Sequence, residues 1–412
     1  MQVLHERCCG LDVHKKTVVA CVLLTQDDGS VQRRVRTFGT MTGDLLALSD
    51  WPASLEIAQI ALESTGVYWK PVFNLLEGEG RTIVLVNPQH MRAVPGRKTD
   101  VKDAEWLADL LRHGLVKASF IPPAPIRELR ELTRYRKTLV RERGQETQRL
   151  QKLLESANIK LSAVATNVLG ASGRDMLAAL LEGEEDPAVL AELARGKLRA
   201  KLPALRQALE GRVKPYHRVL LAELLGHIAY LDEAIGRLHD EIERHLAPFS
   251  EVVARLQTIP GVSATAAAAI VAEIGVDATR FPSAKHLASW AGVRPGNRQS
   301  GGKRLSGKPT KGNVWLRAVL GEVAWAASRT RNTYLRAQFE RLARRRGRKK
   351  AVVAIGHTIL VIVYHLLRTG RDYRELGADY FTTLDSDRVT QHHVQRLSQL
   401  GYEVTLMPKE AA

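Results

Sequence analysis

Four carboxylates in the first quarter of the chain constrain its fold more than any other feature. Asp12 lies inside a strand-like run, Glu63 follows the apolar run 57–62, and Asp100 and Asp103 open a helical stretch. The last two share one helix face because they are three residues apart. Clustered carboxylates repel one another and raise each other's pKa, so a fold tolerates them mainly where divalent cations neutralise them.

The chemistry that such a cluster serves is limited. All-oxygen ligand sets suit Mg²⁺ or Mn²⁺. Two such ions can hold the attacking and the leaving oxygen of a phosphodiester. The sequence therefore predicts a metal-dependent enzyme that acts on phosphates, with the four carboxylates as metal ligands.

Strand and helix signals alternate over residues 1–120. A run rich in β-branched residues ends at the hairpin signal Asp27-Asp28-Gly29. The predicted elements are strands at 11–24, 31–38, 57–62 and 82–86 and helices at 45–54, 67–76 and 100–115. This order is typical of an α/β RNase H/RuvC-like domain, with Asp12 on the first strand and Glu63 at the end of a neighbouring strand.

Residues 121–250 are predicted to form a helical linker and a coiled coil. After the break at 122–125, one long helix at 126–156 carries Arg127, Arg130, Arg134, Arg141 and Arg149. These arginines either face a phosphate backbone or pair with neighbouring glutamates on a solvated face. A later heptad has alternating spacings of three and four: Leu221, Leu224, Ile228, Leu231, Ile235, Leu238 and Ile242. This seam favours a coiled coil that includes a subunit contact, and the alternative is packing within the chain.

The excess positive charge is confined to the predicted third domain, the mainly α-helical residues 251–375. Residues 281–375 hold 21 basic and 4 acidic side chains, a net charge of +17, and the 40 basic and 40 acidic residues elsewhere cancel. Such a concentration is typical of a polyanion-binding domain, and the alternative is a basic but inert surface.

Ser300 lies within this basic region in a glycine-rich segment, 292–304, flanked by arginines. The segment is too polar to be core, and its glycines let the backbone approach a ligand. A serine hydroxyl there can attack a phosphate if a base or metal activates it; taken alone, the segment favours a nucleic-acid-binding loop with an incidental serine. The residues expected to contact phosphates are Arg294, Arg298, Lys303, Arg304, Lys308 and Lys311.

The remaining features suggest a cytoplasmic protein. Cys8, Cys9 and Cys21 have no metal-binding spacing and are expected to lie on strands. No signal-peptide pattern is present at the N-terminus. The apolar run 351–367 is short for a bilayer span and is predicted to be a buried helix. The tail 376–412 has no predicted role, and 385–387 is expected to be a solvated loop.

These residues together resemble the DEDD-type insertion-sequence transposases, the bridge-RNA-guided serine recombinases of bacterial mobile elements. The N-terminal marks are Gly-Leu-Asp-Val-His-Lys at 10–15, Leu-Glu-Ser-Thr-Gly at 62–66 and Lys-Thr-Asp-Val-Lys-Asp-Ala at 98–104. The C-terminal marks are Ile-Pro-Gly-Val at 259–262, the segment 281–292, Ser-Gly-Gly-Lys at 300–303 and Lys-Gly-Asn-Val-Trp-Leu-Arg at 311–317.

The resemblance implies a RuvC-like domain, a coiled-coil middle and a C-terminal transposase domain. It implies that Asp12, Glu63, Asp100 and Asp103 bind Mg²⁺ or Mn²⁺, and that Ser300 is the nucleophile that forms a covalent phosphoserine link to DNA. Ser306 is the second choice for the nucleophile. The implied partners are donor and target DNA, a noncoding bridge RNA, and further copies of the chain as a dimer that pairs into a tetramer, with no membrane and with association to the nucleoid during activity.

Three hypotheses follow. The first is a recombinase that cuts and rejoins DNA through Ser300. The second is a RuvC-like, metal-dependent junction nuclease that uses activated water, with Ser300 as a backbone contact. The third is a basic scaffold for nucleic acid without catalytic activity. The intact set of carboxylates opposes the third, and the context of Ser300 favours the first over the second.

Overall fold

The structure is a computed structural model that describes residues 2–64, 66–78, 80–86, 100–296, 298–307, 311–384 and 386–407. It describes the backbone alone for residues 64, 100, 101, 298–300, 304–306 and 386–389. The chain divides into two compact units, Met1–Ile121 and Pro122–Ala412. The finer predicted divisions at residues 250 and 375 stay predictions.

The first unit is built on a mixed five-stranded sheet. Its strands are β1 (Arg7–Val13), β2 (Thr17–Thr25), β3 (Val31–Gly39), β4 (Gln59–Ser64) and β5 (Thr82–Leu85), in the order β3-β2-β1-β4-β5. The first three strands pair antiparallel, whereas β4 runs parallel to both β1 and β5. The predicted α/β class of this unit is confirmed.

Helices cover both faces of the sheet. They are α1 (Thr42–Ser54), α2 (Trp69–Leu76) and α3 (Asp100–Arg112). The first two pack on one face in a core that includes Leu11, Ile60 and Leu62. The third packs on the other face beside Cys8 and Ala61. Because β1 and β4 are covered on both sides, their sequences are nearly continuous apolar runs.

One predicted strand proved to be two. The run 11–24 is interrupted by a tight turn at residues 14–16, where the backbone N–H of His14 donates to the carbonyl of Thr17 over 2.9 Å. This turn contains no glycine, proline or asparagine, so the usual turn signals do not mark it. The turn at Asp27-Asp28-Gly29, between β2 and β3, was predicted correctly, and Gly29 adopts a φ of 81° there.

The second unit is almost entirely helical. Its α-helices are α4 (Ala124–Ser156), α5 (Leu161–Val164), α6 (Ala171–Glu182), α7 (Pro187–Glu192), α8 (Leu202–Leu209), α9 (Pro215–Leu246), α10 (Ser250–Gln257), α11 (Ala264–Ile274), α12 (Ala284–Trp290), α13 (Val314–Ala327), α14 (Tyr334–Arg346), α15 (Arg348–Thr369), α16 (Tyr380–Thr383) and α17 (Ser386–Gln399). Between α12 and α13 lies a two-stranded hairpin of β6 (Arg298–Ser300) and β7 (Lys303–Ser306).

The heptad seam is filled by the chain itself. Helices α4 and α9 run antiparallel, since Glu128 lies 3.8 Å from His245 and Glu146 lies 3.7 Å from His227. The N-terminal part of the seam enters the core formed with α4 to α8, and its middle packs around Leu139. The intramolecular alternative is therefore what the structure contains, and the seam no longer indicates a subunit contact.

The apolar run 351–367 lies in α15. Among the described residues, α15 alone is long and apolar enough to cross a membrane, but half of its apolar window is buried in the protein. Its buried stripe includes Ile355, Ile359 and Val363. This arrangement is typical of a core helix and agrees with the predicted buried helix.

The C-terminal tail contains regular structure that the sequence analysis did not predict. Ser386 and Asp387 begin helix α17, so the predicted solvated loop is wrong for these two residues, while Asp385 lies outside the described residues. Serine and aspartate are common where a helix begins, and the pattern allowed this alternative.

Candidate functional site

Asp12 and Glu63 lie side by side on adjacent parallel strands. They are register partners in the β1–β4 pairing, and each is the last residue but one of its strand. Register partners on neighbouring strands project from the same face of a sheet. Both carboxylates are thus directed to one face at the carboxyl ends of two neighbouring strands, and these are the strand positions that the sequence predicted.

Helix α3 packs closely against that face. A Cβ atom added to Gly10 would lie 2.3 Å from the carbonyl oxygen of Ala104 and 2.6 Å from the nitrogen of Ala108. Since Gly10 and Asp12 are two residues apart on one strand, they share the face that α3 covers. Only glycine at position 10 permits this close approach.

The direction of α3 brings its first turn to the carboxylates. The N–H of Leu4, which precedes β1, donates to the carbonyl of Arg112 at the C-terminal end of α3 over 2.9 Å. The helix therefore runs antiparallel to β1, and its N-terminal end lies toward Asp12. Asp103 is half-buried there, while Asp100 begins the helix and its side chain lies outside the described residues.

The surroundings of Asp12 include a residue that the sequence analysis did not single out. Asp12 is only 9% exposed, and its Oδ2 lies 3.0 Å from Nε2 of His14. Since His14 is two residues after Asp12, strand alternation was the signal that predicts a shared face. This contact holds the Asp12 carboxylate in one orientation.

The acidic side chains on the sheet face that α3 covers are suitable ligands for a hard divalent cation. Asp12, Glu63 and Asp103 offer carboxylate oxygens, the ligands that Mg²⁺ and Mn²⁺ prefer. Among the side chains that the structure describes, no group of three or more acidic, histidine or cysteine residues is close enough to hold a metal ion. The described side chains do not include that of Asp100, the fourth predicted ligand.

Ser300 lies at the tip of a β-hairpin rather than in an irregular loop. It pairs with Lys303 across Gly301 and Gly302, which have φ angles of 54° and 74°. Two central residues with positive φ form the tight turn that suits a two-residue hairpin. Ser306 pairs with Arg298 at the open end of the same hairpin, so the two candidate serines differ in their distance from the tip.

The residues on either side of segment 293–311, which carries the hairpin, lie close together. A Cβ atom on Gly312 would lie 2.3 Å from the backbone nitrogen of Gly292. Asn313 then caps α13, since its Oδ1 accepts hydrogen bonds from the backbone of Trp315 and Leu316 over 3.0 Å each. The ends of the segment are therefore held firmly against α12 and α13.

Asn313 also belongs to an ion-pair network around the buried Glu273. Nδ2 of Asn313 donates to Oε2 of Glu273 over 2.5 Å, and Glu273 is 2% exposed. Arg130 donates to the carbonyls of Ala272 and Glu273, over 3.0 and 2.6 Å. Burial lowers the pKa of Arg130 to about 10, although the charge of Glu273 opposes this. Arg130 is thus committed to internal contacts, and neither alternative for the helix arginines describes it.

The residues predicted to bind phosphates are distributed around the hairpin. Arg294, Lys303 and Lys311 are exposed. Arg298 and Arg304 lie on β6 and β7, where the backbone alone is described, and Lys308 lies outside the described residues. Burial first, and the charge of Arg294 second, lower the pKa of His357 on α15, so Arg294 lies near that helix.

Two family models match the chain. A transposase model of the IS110 DEDD type matches residues 9–159, and a model described as transposase IS116/IS110/IS902 family matches residues 253–340. The first match contains all four candidate metal ligands, and the second contains Ser300.

Individual relatives are similar over most of the chain. A transposase for insertion sequence element IS1111A from Coxiella burnetii is 27% identical over 333 residues, which cover 78% of this chain and 81% of that protein. An insertion element IS110 protein from Streptomyces coelicolor is 28% identical, with 68% and 73% covered. A pilin gene-inverting protein from Moraxella bovis is 32% identical over 121 residues, covering 29% of this chain and 37% of that protein.

Proposed function

The chain belongs to the IS110 family of DEDD transposases, and from this premise we propose that it cuts and rejoins DNA at donor and target sites through Ser300. The observation that carries the proposal is the backbone position of Ser300, one residue before the tight turn of an arm flanked by basic residues. A nucleophile at such a tip can enter a groove of DNA that a core residue cannot reach.

The proposed step conserves the energy of the phosphodiester. The Ser300 oxygen attacks phosphorus, the bond from phosphorus to one deoxyribose oxygen breaks, and the serine proton leaves to solvent or a base. The products are a phosphoserine link and a free hydroxyl end. Attack by a hydroxyl end of another strand reverses the step, restores the phosphodiester and releases the serine.

Asp12, Glu63, Asp100 and Asp103 are the proposed metal ligands. A bound Mg²⁺ or Mn²⁺ would supply positive charge to the phosphate and lower the pKa of an attacking hydroxyl. The adjacent register of Asp12 and Glu63 supports this assignment, and so does the approach of the first turn of α3 to the same face. His14 orients Asp12. The phosphates of the substrate are held by six basic residues around the hairpin: Arg294, Arg298, Lys303, Arg304, Lys308 and Lys311.

Three finer proposals rest on the family resemblance. The first unit is RuvC-like, which its strand order β3-β2-β1-β4-β5 supports. A noncoding bridge RNA from the element guides the choice of donor and target. The protein acts as a dimer that pairs into a tetramer, in which the carboxylates of one unit and the Ser300 arm of the same or another copy form a composite site.

A covalent-trapping assay tests the nucleophile. The full-length protein is incubated with Mg²⁺, the element's noncoding RNA and labelled donor and target DNA, then denatured. We expect label to travel with wild-type protein and with Ser306→Ala, the matched control from the same hairpin, but not with Ser300→Ala or Asp12→Ala. An adduct that persists in Ser300→Ala would move the nucleophile elsewhere.

The same assay separates the alternative reaction. The carboxylate pair alone would suffice for a junction nuclease that uses activated water, so metal-dependent cleavage without any adduct would favour that alternative.

Mixing Ser300→Ala with Asp12→Ala tests the composite site. Restored activity in mixed oligomers supports a site shared between subunits, and an inactive mixture in which mixed oligomers form opposes it.

A further inference from the structure

Seven cations, Arg329 and six at the junction of α14 and α15, have no ion-pair partner among the described residues. They are Arg329, Arg344, Arg345, Arg346, Arg348, Lys349 and Lys350, and all seven are exposed. Nearby cations are used differently, since Arg336 pairs with Glu340 over 2.9 Å and Arg341 lies over the ring of Phe381 at 5.1 Å. The cluster therefore presents uncompensated positive charge to solvent.

Part of this charge is placed against the field of a helix. Arg348, Lys349 and Lys350 form the first turn of α15, where the helix dipole favours negative charge. The residue before the helix is Gly347, whose φ is 80°, and no side chain that the structure describes caps the first N–H groups. A bound anion would relieve the repulsion and accept from those N–H groups.

A cavity with an aromatic wall adjoins these cations. It is an open depression of about 510 Å³ between α13, α14 and the start of α15. Arg329, Arg344 and Arg348 line it together with Trp325, Ser328, Phe339, Ala343 and Glu340. Trp325 is 39% exposed, and its ring centroid lies 5.8 Å from that of Phe339 at 56°. Arg336 pairs with Glu340 and offsets its negative charge.

We propose that this cavity binds an unpaired nucleotide of single-stranded nucleic acid, with the base on the face of Trp325 and the flanking phosphates on Arg344 and Arg348. Single-strand sites combine an aromatic platform for a base with cations that follow the backbone. A duplex offers only phosphates to such a surface, because its base faces are already stacked. The cavity volume lies within the range of roughly 300–1,000 Å³ that is usual for small-molecule sites.

This inference rests on the proposed function only in taking nucleic acid as the ligand. It involves neither the four carboxylates nor the Ser300 hairpin, and it concerns binding alone. Its test therefore runs in EDTA, where strand cleavage does not occur, so that failure of the serine mechanism and failure of this site are separate results.

The experiment measures fluorescence anisotropy of labelled dT20, U20 and a 20-base-pair duplex with the full-length protein. We expect Trp325→Ala to weaken binding of single strands about 5- to 100-fold, the effect of removing one base stack, and to leave duplex affinity unchanged. Trp325→Phe keeps an aromatic face and should retain most of the affinity. Comparison of dT20 with U20 assigns the site to a DNA or an RNA strand.

A pair of double variants provides a charge-matched control. Arg344→Ala/Arg348→Ala removes two cations that line the cavity, and Arg345→Ala/Arg346→Ala removes two neighbours that do not. Both pairs should reduce the salt dependence of binding similarly, but only the first should lower the preference for single strands over duplex. Equal loss of preference from the two pairs, or an unchanged preference in Trp325→Ala, would overturn the proposal. Because all four arginines are exposed, these variants keep the test valid if Trp325→Ala fails to fold.

Discussion

Arg134 forms a bidentate ion pair with the buried carboxylate of Glu273. Its Nε donates to Oε1 over 2.7 Å and its Nη2 donates to Oε2 over 2.8 Å. The side chain of Glu273 is 3% exposed, and Asn313 donates to the same carboxylate. One acidic residue thereby joins the long helix α4 to the segment in which the Ser300 hairpin returns to the fold.

Removal of this carboxylate should be costly. Glu273→Ala removes the buried carboxylate that pairs with Arg130 and Arg134, two partly buried cations, and we expect the free energy of unfolding to fall by about 3–5 kcal/mol. Glu322→Ala is the matched control, because Glu322 also pairs with a cation of α4, Lys137, but is exposed. That change should cost about 0–1 kcal/mol. Urea denaturation measures both, and equal losses would contradict the assigned role of Glu273.

The stability of the second unit should depend on pH through Asp232. Burial alone would raise the pKa of Asp232, but hydrogen bonds from Arg143 and Arg174 outweigh it and hold the pKa below its ordinary value. A carboxyl with a lowered folded-state pKa stabilises the fold above its unfolded pKa of about 3.9, and loses that contribution as pH falls through the folded value. We therefore expect Asp232→Asn to melt below wild type at pH 7, with the gap closing toward pH 3.

A variant on the same helix controls for that experiment. Asp240 is exposed on α9 and forms no ion pair among the described residues, so Asp240→Asn should leave the melting temperature close to wild type at both pH values. A deficit in Asp232→Asn that stays undiminished at pH 3 would point to lost packing rather than lost charge.

The three cysteines should be unreactive in the folded protein. Burial raises the pKa of Cys8 and of Cys21 to about 12 each, and it raises the pKa of Cys9 as well. Because the thiolate is the reactive form, we expect no thiol to react with Ellman's reagent at pH 8, and all three to react in urea. Rapid labelling of one thiol under native conditions would show that β1 or β2 opens.

Gly10 should tolerate no side chain. In Gly10→Ala the new methyl group would meet the backbone of α3, so we expect a loss of about 1–3 kcal/mol in stability and a displaced Asp103. Strand cleavage should fall more than the change in stability explains. Gly43→Ala in α1 is the control, since its methyl group would meet no atom of the described residues within 4 Å. Thermal melting and cleavage assays on both variants check this, and indistinguishable variants would disprove the close approach.

Much of the first unit was predictable because its signals are local. Apolar runs and the turn at Asp27-Asp28-Gly29 marked most strands, and strand position predicted that Asp12 and Glu63 lie on neighbouring strands. The turn at residues 14–16 was missed because its residues carry no special backbone preference. The hairpin at Ser300 was also missed, although Gly301-Gly302 between polar residues was an available turn signal.

The heptad and the helix arginines mark where local pattern stops being informative. Spacing shows that Leu221 and Ile228 share a stripe, but it does not say whether another subunit or α4 covers that stripe. Charge shows that Arg130 and Arg134 need partners, but the partner is Glu273, far along the chain. The spacing of nearby glutamates gave no signal of this distant partner.

The sequence by itself determined the alternation of elements in the first unit, the residue types available for metal and phosphate chemistry, and the region that carries the excess charge. The tertiary structure decided the strand register that sets Asp12 beside Glu63, the direction of α3, and the burial of the heptad seam within the chain. Periodicity, turn preference and charge are properties of neighbouring residues, whereas register and helix packing depend on contacts between residues that are distant in the chain.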